Sequence, residues 1–427
     1  MGLPSLIEII PLPRPVSARV TVPGSKSITN RALVLGALAD GETVLEDALW
    51  SEDTAVMVEC LRKLGYAVTV GSAPGDLCNR RITIRGLGGH VPPGGTPDRP
   101  LELFVGNAGT AARFLTALVC LGKGVYRVHG VPRMHERPQA ALFSALRELG
   151  YCVVSSNERL PADVHGGGPH PGSCRVNVAE SSQFASALLL AGGLAGWRVT
   201  IEGENEEELP YVEMTRRLIQ SFPSRGGRFQ IEPDASGGCC FLAVNHLNPT
   251  NSEGAHRIEV ANWPDSGWQI DAEFPRYLPL PTTLSRRRHL GDSIMMAITL
   301  GPLANHPVRF DDLGRLRVQE CERVRALHTE LTRCGARVVE KGDSLLVWPS
   351  RLHGAEIETY EDHRIAMCFA ILGLKIPGLR IKNPACVRKT FPGFFQKLAA
   401  SPPHGLGAGI LDCASGRILT AEECLAG

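Results

Sequence analysis

The apolar and polar positions of this chain repeat a short unit, in which an amphipathic helix ends at a glycine and a strand follows. The unit occurs three times, as CLRKLGYAVTV (60–70), ALRELGYCVVS (145–155) and ELTRCGARVVE (330–340). Apolar residues three and four apart indicate the helix, the glycine suits a left-handed helix end, and the β-branched residues favour a strand. The pattern therefore predicts α/β domains built from repeated small modules.

The helices of these units have recognisable start signals. We predict helices over 55–64 after Asp53, over 139–149 after Pro138, and over 323–332 after Glu320. A last helix is predicted near 394–400, and the tail 401–427 is expected to be loosely attached. The segment 245–285 has little periodicity, and its elements are left open.

Length and composition restrict the class of protein. A chain of 427 residues exceeds what one core usually supports, so two domains are expected. Hydrophobic residues make up 43% and charged residues 21%, as in an ordinary globular protein. The 45 Lys and Arg nearly balance the 44 Asp and Glu, which argues against a general nucleic-acid or membrane surface but permits a local basic cleft.

The cysteines and the apolar segments indicate a cytoplasmic protein. None of the 13 cysteines forms a C-x-x-C pair or a Cys/His cluster with zinc-ligand spacing, so reduced thiols and no metal are expected. The N-terminus lacks the pattern of a secretory signal, and the longest nearly apolar stretch, 184–197, is too short to span a bilayer.

Two segments suggest anion sites at helix starts. In VPGSKSITNRALVLGALADG (22–41), a helix is predicted from about 29 to 39, with Lys26 and Ser27 at its mouth and Arg31 one turn in. A capped surface helix with solvated charges is the alternative. In LFVGNAGTAARFL (103–115), the glycines would let the backbone approach a phosphate, or they form a plain tight turn.

Two further segments carry polar residues just before helices. Arg133 and Arg137 could grip a phosphate or carboxylate, or one of them could pair with Glu136 or Glu148. In a later segment, 179–192, two serines and Gln183 head a strongly apolar helix, either as anion ligands or with a serine as N-cap.

The C-terminal half repeats this arrangement. Asp292 precedes an apolar helix, as an N-cap or as a buried general base. If a helix starts near Glu320, that residue and Arg323 lie three apart on one face and can form an ion pair. The polar run 362–364 and Lys389 also precede helices and must face solvent or a shared site.

The agreement among these segments is more informative than any one of them. The basic residues at or near the predicted helix starts are Lys26, Arg31, Arg133, Arg323, Arg364 and Lys389. If the helix starts converge, their dipoles add to these charges and create a cleft suited to two multiply anionic small molecules. No metal ligands or nucleotide loop accompany them.

From about residue 19 to 398, the chain resembles a known family, the 5-enolpyruvylshikimate-3-phosphate synthases. The motifs that carry the resemblance stand in the family's order: GSKSITNRAL, GNAGTAARFL, PRMHERP, SSQF, DAS (234–236), GDSIMMAI, E-x-x-R (320–323), DHR (362–364) and RKTFP. The resemblance implies transfer of the enolpyruvyl group of phosphoenolpyruvate to the 5-hydroxyl of shikimate 3-phosphate, on the pathway to chorismate and the aromatic amino acids. No cofactor, nucleic acid or membrane is implied, and a monomer is expected.

The resemblance also implies the fold and the domains. It predicts an α/β protein of two similar domains, each made of three βαβαββ units with buried helices, an inside-out α/β barrel that binds its ligands between the domains. The first domain would span 24–233 and be inserted into the second, which would comprise 1–23 and 234–400; 401–427 would be a tail.

Site residues follow from the same resemblance. Phosphoenolpyruvate is expected to contact Lys26, Gly109, Arg133, Gln183, Arg323, Arg364 and Lys389. Shikimate 3-phosphate is expected to contact Ser27, Arg31, Ser181, Ser182, Gln183, Tyr211, Asp292 and Gln319. Asp292 would be the base, Glu320 and Lys26 the proton donors, and His363 would lie beside them.

The chain departs from the family pattern mainly on the acceptor side. Gln319 stands where lysine is usual, Arg315 where asparagine is common, and Glu208 where serine is common. The run 237–240 replaces a more usual Ser/Ala/Tyr run. Two alternatives are a weakly active or non-catalytic anion-binding homologue and the related transferase acting on UDP-N-acetylglucosamine. The latter family carries a cysteine in a mobile glycine-rich loop, and 106–138 has no matching loop.

Overall fold

The chain forms two compact units in a computed structural model that describes residues 2–73, 77–203, 209–247 and 257–426. Unit 1 comprises Met1–Pro23 and Pro233–Gly427, and unit 2 comprises Gly24–Glu232.

Twelve α-helices and twenty strands lie within the described residues. The helices are α1 (Lys26–Leu38), α2 (Glu52–Leu64), α3 (Gly109–Leu118), α4 (Pro132–Glu136), α5 (Ala140–Glu148), α6 (Ser182–Ala195), α7 (Leu209–Ser221), α8 (Ala235–Leu247), α9 (Ile294–Leu300), α10 (Arg323–Arg333), α11 (His363–Gly373) and α12 (Phe394–Ala399). The strands are β1 (Leu6–Ile9), β2 (Ala18–Val20), β3 (Glu42–Leu49), β4 (Ala67–Ser72), β5 (Asn79–Arg85), β6 (Leu101–Phe104), β7 (Lys123–His129), β8 (Cys152–Val154), β9 (Ala162–Gly167), β10 (Gly172–Asn177), β11 (Trp197–Glu202), β12 (Gly227–Gln230), β13 (Ile258–Val260), β14 (Thr283–Ser285), β15 (Val308–Asp311), β16 (Val338–Lys341), β17 (Ser344–Val347), β18 (Glu356–Ile357), β19 (Leu379–Lys382) and β20 (Ile410–Asp412).

Each unit repeats one sheet pattern. The four-stranded sheets have the orders β18-β19-β1-β20 and β14-β15-β17-β16 in unit 1, and β12-β3-β5-β4 and β6-β7-β9-β8 in unit 2. Each of these sheets contains one parallel pair followed by two antiparallel pairs. Two stretches of the chain, β6 to β9 and β14 to β17, run in the order βαβαββ. These units are the repeated modules predicted from the sequence.

The core of each unit is built around three helices. In unit 2, α1, α3 and α6 contact one another, and in unit 1, α8, α9 and α11 do so. All ten residues of α3 and all seven of α9 are buried. α9 is accordingly almost wholly apolar, whereas α3 also buries Arg113, whose guanidinium donates to the Gly109 and Pro138 carbonyls. α1 packs on β3 and β5, α3 on β7, and α6 on β10 and β11, so the helices lie inside and the strands cover them.

The predicted helix–glycine–strand units are confirmed. Gly65, Gly150 and Gly335 follow α2, α5 and α10 with φ of 103°, 94° and 89°, and a strand follows each of them. The start of α2 is set by Ser51, which forms a capping box with Thr54, rather than by Asp53. The start of α1 lies three residues before the predicted one, because the Ser25 carbonyl already accepts from the Thr29 amide at 2.8 Å.

The prediction of a loosely attached tail is wrong. β20 pairs with β1 at the edge of a sheet in unit 1. Leu406 and Ile410 are fully buried, and the Ala408 amide donates to the Leu398 carbonyl. The tail thus completes the unit's core.

Two other sequence features can be compared with the structure. All thirteen cysteines are free thiols, as predicted. Across the described ranges, no helix is long and apolar enough to cross a membrane.

The close approach of α1 to its sheet gives a testable prediction. A Cβ added at Gly36 would lie 2.5 Å from Ile84 Cγ2 on β5, whereas one added at Gly193 on α6 would meet nothing within 4 Å. We expect Gly36→Ala to lower the free energy of unfolding by about 1–3 kcal/mol through overpacking. Gly193→Ala, the matched control, should raise it by about 0.4–1 kcal/mol. Equal stability of the two variants in thermal unfolding would contradict this packing.

Candidate functional site

The starts of the three central helices of unit 1 meet at one place. Arg364, in the first turn of α11, donates from Nη1 to the Ser236 carbonyl in α8 at 3.2 Å. Its Nε lies 3.2 Å from Oδ2 of Asp292, two residues before α9. Because each helix start carries a partial positive charge, this meeting point favours anions even before side chains are counted.

Asp292 is held by three arginines. Its Oδ2 faces Arg364 and also Arg323 Nη1 at 3.5 Å, while its Oδ1 lies 3.1 Å from Arg286 Nη2. Burial by itself would raise the pKa of this carboxyl, but the charges of Arg364, Arg323 and Arg286 outweigh it and hold the pKa well below the usual range. Asp292 is therefore ionised at neutral pH in this state.

Asp362 and Arg323 form the most deeply buried pair of the cluster. Arg323 Nε donates to Asp362 Oδ2 at 2.6 Å and Nη2 donates to Oδ1 at 3.2 Å, with side-chain exposures of 1% and 0%. Asp362 also caps α11, because its Oδ1 accepts from the Arg364 amide. The Asp362 carboxylate thus fixes both the Arg323 side chain and the helix start that carries Arg364.

Glu320, Lys389 and Gln319 complete the cluster. Glu320 pairs with Arg323 Nη2 at 2.9 Å and with Lys389 Nζ at 3.4 Å. Gln319 accepts from Arg323 Nη1 and donates from Nε2 to Asp292 Oδ1 at 3.4 Å. The side chains of Asp292, Glu320, Arg364 and Lys389 are 12–15% exposed, so a ligand can reach them, while Arg323 lies behind.

The structure tests two interpretations of these helix starts. Asp292 does not cap α9 with its side chain; instead Asp271 Oδ1 accepts from the Gly291 and Ser293 amides at 2.8 and 3.1 Å. α10 starts at Arg323, in agreement with the helix predicted over 323–332, and the Glu322 side chain caps it. The carboxylates of Asp292 and Glu320 are both available to the cluster.

His363 is the first residue of α11 and is 1% exposed. Its Nδ1 lies 3.8 Å from Asp362 Oδ1. Such burial favours a positioning role over direct contact with a substrate.

Unit 2 also carries its candidate residues at the starts of central helices. Lys26 is the first residue of α1, and its Nζ pairs with the buried carboxylate of Asp53 on α2 at 3.1 Å. Lys26 is 21% exposed, so it can turn toward a ligand. Ser27, next to it, is partly exposed.

Arg31 lies deeper and joins three helices. Its guanidinium donates to Thr215 Oγ1 on α7 at 2.7 Å, to Ser186 Oγ on α6 at 3.1 Å and to the Ser27 carbonyl at 2.9 Å. The side chain also lies over the Phe114 ring. With 2% exposure, Arg31 is placed to hold the helix starts together.

The turn before α3 approaches two arginines that the site prediction omitted. A Cβ on Gly109 would lie 2.6 Å from Arg137 Nη2 and 2.7 Å from Arg113 Nη1. Arg137 donates to the Asn107 carbonyl at 3.2 Å, and Arg113 donates to the carbonyls of Gly109 and Pro138. Glycine at 109 thus leaves room for both guanidinium groups, whose ends would have to shift to admit a side chain there. A lone arginine inside an apolar helix was the available signal for Arg113.

Arg133 forms an ion pair with Glu136, which is one of the two interactions predicted for it. It lies on the short helix α4 and pairs with Glu136, and the side chains are 52% and 59% exposed. An exposed pair of this kind is weak, so Arg133 remains available to an anion.

The start of α6 combines capping with an open acceptor. Ser181 caps the helix by accepting from the Gln183 amide at 3.3 Å. Ser182 is 2% exposed, and Gln183 Oε1 is buried without a hydrogen-bond partner among the described residues. Tyr211 lies near by on α7, where its carbonyl accepts from Thr215.

The structure thus places six predicted residues in one connected cluster in unit 1: Asp292, Gln319, Glu320, Arg323, Arg364 and Lys389. Sequence reasoning missed Arg286 in unit 1 and the role of Asp53 in unit 2. Glu208 lies outside the described residues. In the portion of the chain that is described, no group of three or more His, Cys, Asp or Glu could hold a metal ion.

Comparisons with known proteins point to one family. The family model for EPSP synthase (3-phosphoshikimate 1-carboxyvinyltransferase) matches residues 11–225 and 282–398. A 3-phosphoshikimate 1-carboxyvinyltransferase of Trichormus variabilis is 37% identical, over 92% of this chain and 98% of that protein. One of Opitutus terrae is 38% identical, over 93% and 98%.

Solved structures share the fold at lower identity. EPSP synthase of Acinetobacter baumannii has a TM-score of 0.72 at 20% identity, covering 95% of this chain and 99% of that one. The enolpyruvyl transferase NikO of Streptomyces tendae has a TM-score of 0.65 at 16% identity, covering 95% and 98%. The fold is therefore the two-domain inside-out α/β fold that the sequence motifs predicted.

The buried pair predicts a large difference between two ion-pair deletions. Asp362→Ala leaves the buried Arg323 without its main partner and should lower the free energy of unfolding by about 3–5 kcal/mol. Glu136→Ala, which breaks the exposed pair with Arg133, should change it by less than about 1 kcal/mol. Denaturant unfolding at neutral pH measures both, and similar losses would show that Asp362 is not essential to the cluster.

Proposed function

This chain belongs to the EPSP synthase family, and from that premise we propose which of its residues carry out the reaction. The enzyme transfers the enolpyruvyl group of phosphoenolpyruvate to the 5-hydroxyl of shikimate 3-phosphate and releases phosphate. The single observation that supports a working site is the cluster around Asp292, in which cations and carboxylates lie within reach of solvent.

In unit 1, we propose Arg323, Arg364 and Lys389 as ligands of phosphoenolpyruvate. Their charges are balanced by Asp292 and Glu320. An incoming phosphate and carboxylate would compete with these side chains for the same donors. Guanidinium groups suit this exchange because they bind either anion with two parallel hydrogen bonds.

In unit 2, the proposed ligands of phosphoenolpyruvate are Lys26, Gly109, Arg133 and Gln183. Those of shikimate 3-phosphate are Ser27, Arg31, Ser181, Ser182, Gln183 and Tyr211, and we propose Asp292 and Gln319 as further ligands. The supporting observation is that α1, α3 and α6 have no acidic residue in their first turns, while Lys26 and Ser27 stand at the start of α1 and Ser181, Ser182 and Gln183 at that of α6. Such starts favour anions.

The proposed chemistry moves two protons. Asp292 accepts the proton of the attacking 5-hydroxyl, and Glu320 or Lys26 delivers a proton to the methylene carbon of phosphoenolpyruvate. The new C–O bond gives a tetrahedral ketal, which loses phosphate and a proton to give the enol ether. The cations stabilise the anionic ketal, and His363 positions the first turn that carries Arg364.

A depressed pKa makes Asp292 a weak base while Arg323 and Arg364 face its Oδ2. When phosphoenolpyruvate shares Arg323 and Arg364, less positive charge acts on Asp292, so its pKa rises toward that of a useful base. The base would thus gain strength when the substrate is bound. We further propose that the enzyme acts as a monomer in the cytoplasm.

We expect phosphate release when the purified protein is given phosphoenolpyruvate and shikimate 3-phosphate. Asp292→Asn and Glu320→Gln should each lower kcat by about 10²–10⁴-fold, the range for removing a general base or acid. Asp412→Asn is a control that should keep wild-type turnover, because the Asp412 carboxyl accepts from the Ala414 amide and the Ser415 hydroxyl and is not part of the proposed site.

Three outcomes would contradict the proposal in different ways. Phosphate release with UDP-N-acetylglucosamine but not with shikimate 3-phosphate would assign the related transferase. No release with either acceptor would indicate an anion-binding homologue. Near-normal turnover of both Asp292→Asn and Glu320→Gln would leave the reaction intact and refute the assignment of base and acid.

A further inference from the structure

Arg286 contacts the proposed base from a part of the chain that no motif identified. It follows β14 in a turn, its side chain is 1% exposed, and its Nη2 lies 3.1 Å from Asp292 Oδ1. Hydrogen bonds fix the turn: the Arg286 amide donates to the Asp311 carbonyl at 3.1 Å, and the Arg288 amide donates to Ser285 Oγ at 3.1 Å. The guanidinium is thus presented to Asp292 from a rigid backbone.

The two oxygens of Asp292 have different partners. Oδ2 faces Arg364 and Arg323, whereas Oδ1 faces Arg286 and the Gln319 side chain. Arg364 and Arg323 are proposed ligands of phosphoenolpyruvate, whereas Arg286, which is 1% exposed and held in the turn after β14, is not. The Arg286 contact is therefore expected to persist when the substrates bind.

Gln319 is neutral, so it cannot place a positive charge beside Oδ1 of Asp292. Its Nε2 donates to Asp292 at 3.4 Å, a long and neutral hydrogen bond, and its carbonyl oxygen is already used by Arg323. A charged donor holds a carboxylate more strongly than a neutral amide does. The permanent positive charge beside Oδ1 thus comes from Arg286.

We propose that Arg286 is the positioning residue of the base: it holds Oδ1 of Asp292 in place and supplies the charge that Gln319 lacks. Oδ2 is then left to accept the acceptor's proton once the substrate engages Arg323 and Arg364. This inference rests on the proposed function, in which Asp292 is the base. Arg286 itself does not touch the substrate.

The surroundings of Asp292 indicate how the pH profile would respond. The charged and polar side chains that face its carboxyl are Arg286, Gln319, Glu320, Arg323 and Arg364. Burial and the charge of Glu320 raise its pKa, and the three arginines lower it. Removing the charge of Arg286 therefore raises the pKa. Since a base works when deprotonated, the acidic limb of the kcat profile should move to higher pH.

The test compares Arg286→Gln with Arg288→Gln, which removes an exposed arginine from the same turn. Arg286→Gln should lower kcat by about 10²-fold, the loss expected from a base misplaced by about an ångström. KM for phosphoenolpyruvate should change little, because its proposed ligands are untouched. Arg288→Gln should match the wild type.

Two rescues separate positioning from simple stabilisation. Arg286→Lys should keep most of the turnover, and adding Gln319→Lys to Arg286→Gln should restore turnover and the wild-type acidic limb, because the new lysine returns a charge beside Oδ1. Thermal unfolding of each variant, measured in parallel, shows which losses come from folding.

Equal turnover of Arg286→Gln and Arg288→Gln would overturn the inference alone. So would a loss of turnover accompanied by an unshifted pH profile and no rescue by either lysine, since that would mark Arg286 as purely structural. If the wild-type protein itself releases no phosphate from the two substrates, the proposed function fails and the inference fails with it.

Discussion

The site of unit 1 depends on one constraint, the burial of the Arg323 guanidinium. A charge that is 1% exposed is stable only if every donor has a partner, and Arg323 meets this condition with Asp362, Glu320, Gln319 and Asp292. These partners raise its pKa further, against the effect of burial. Asp362 also caps α11. The carboxylate that neutralises Arg323 therefore also fixes the helix start that carries Arg364.

The carboxylates of this cluster act as internal counter-ions for its arginines and lysine. Asp292 and Glu320 occupy positions between cations that a bound phosphate or carboxylate would also favour. The depressed pKa of Asp292 shows that its negative charge stabilises this state. That contribution is present above the ordinary carboxyl pKa of about 4 and is lost as the pH falls toward the value in the folded protein. The charge balance that stabilises the cluster is thus also the balance that a substrate must alter.

Most of the helix starts could be predicted from the sequence, while their partners could not. The segments around Lys26, Asp292 and Arg364 each combine a polar run with a following apolar helix, a local pattern that one sequence reveals. Arg286 lies in a run of three arginines, which is more typical of a solvated turn. Its burial depends on β14 and β15 lying side by side, and such long-range pairing is not visible in the spacing of residues. Asp271 was missed for the same reason, since it accepts from the backbone amides of Gly291 and Ser293, about twenty residues later in the chain.

The inside-out arrangement explains why the chemistry of this chain is confined to helix starts. Helices such as α3 and α9 are buried on every side, so their middle turns are mostly apolar, and a charged residue there, such as Arg113, needs backbone carbonyls as partners. Polar groups are tolerated at the first turn, where free backbone amides and the helix dipole need anionic or hydroxyl partners. α8, α9 and α11 begin at one place, so their free backbone amides and the positive ends of their dipoles are concentrated there. Arg364 of α11 contacts the starts of both other helices. The same packing that excludes charge from the core therefore gathers it at the end of the core where a charged substrate can be bound.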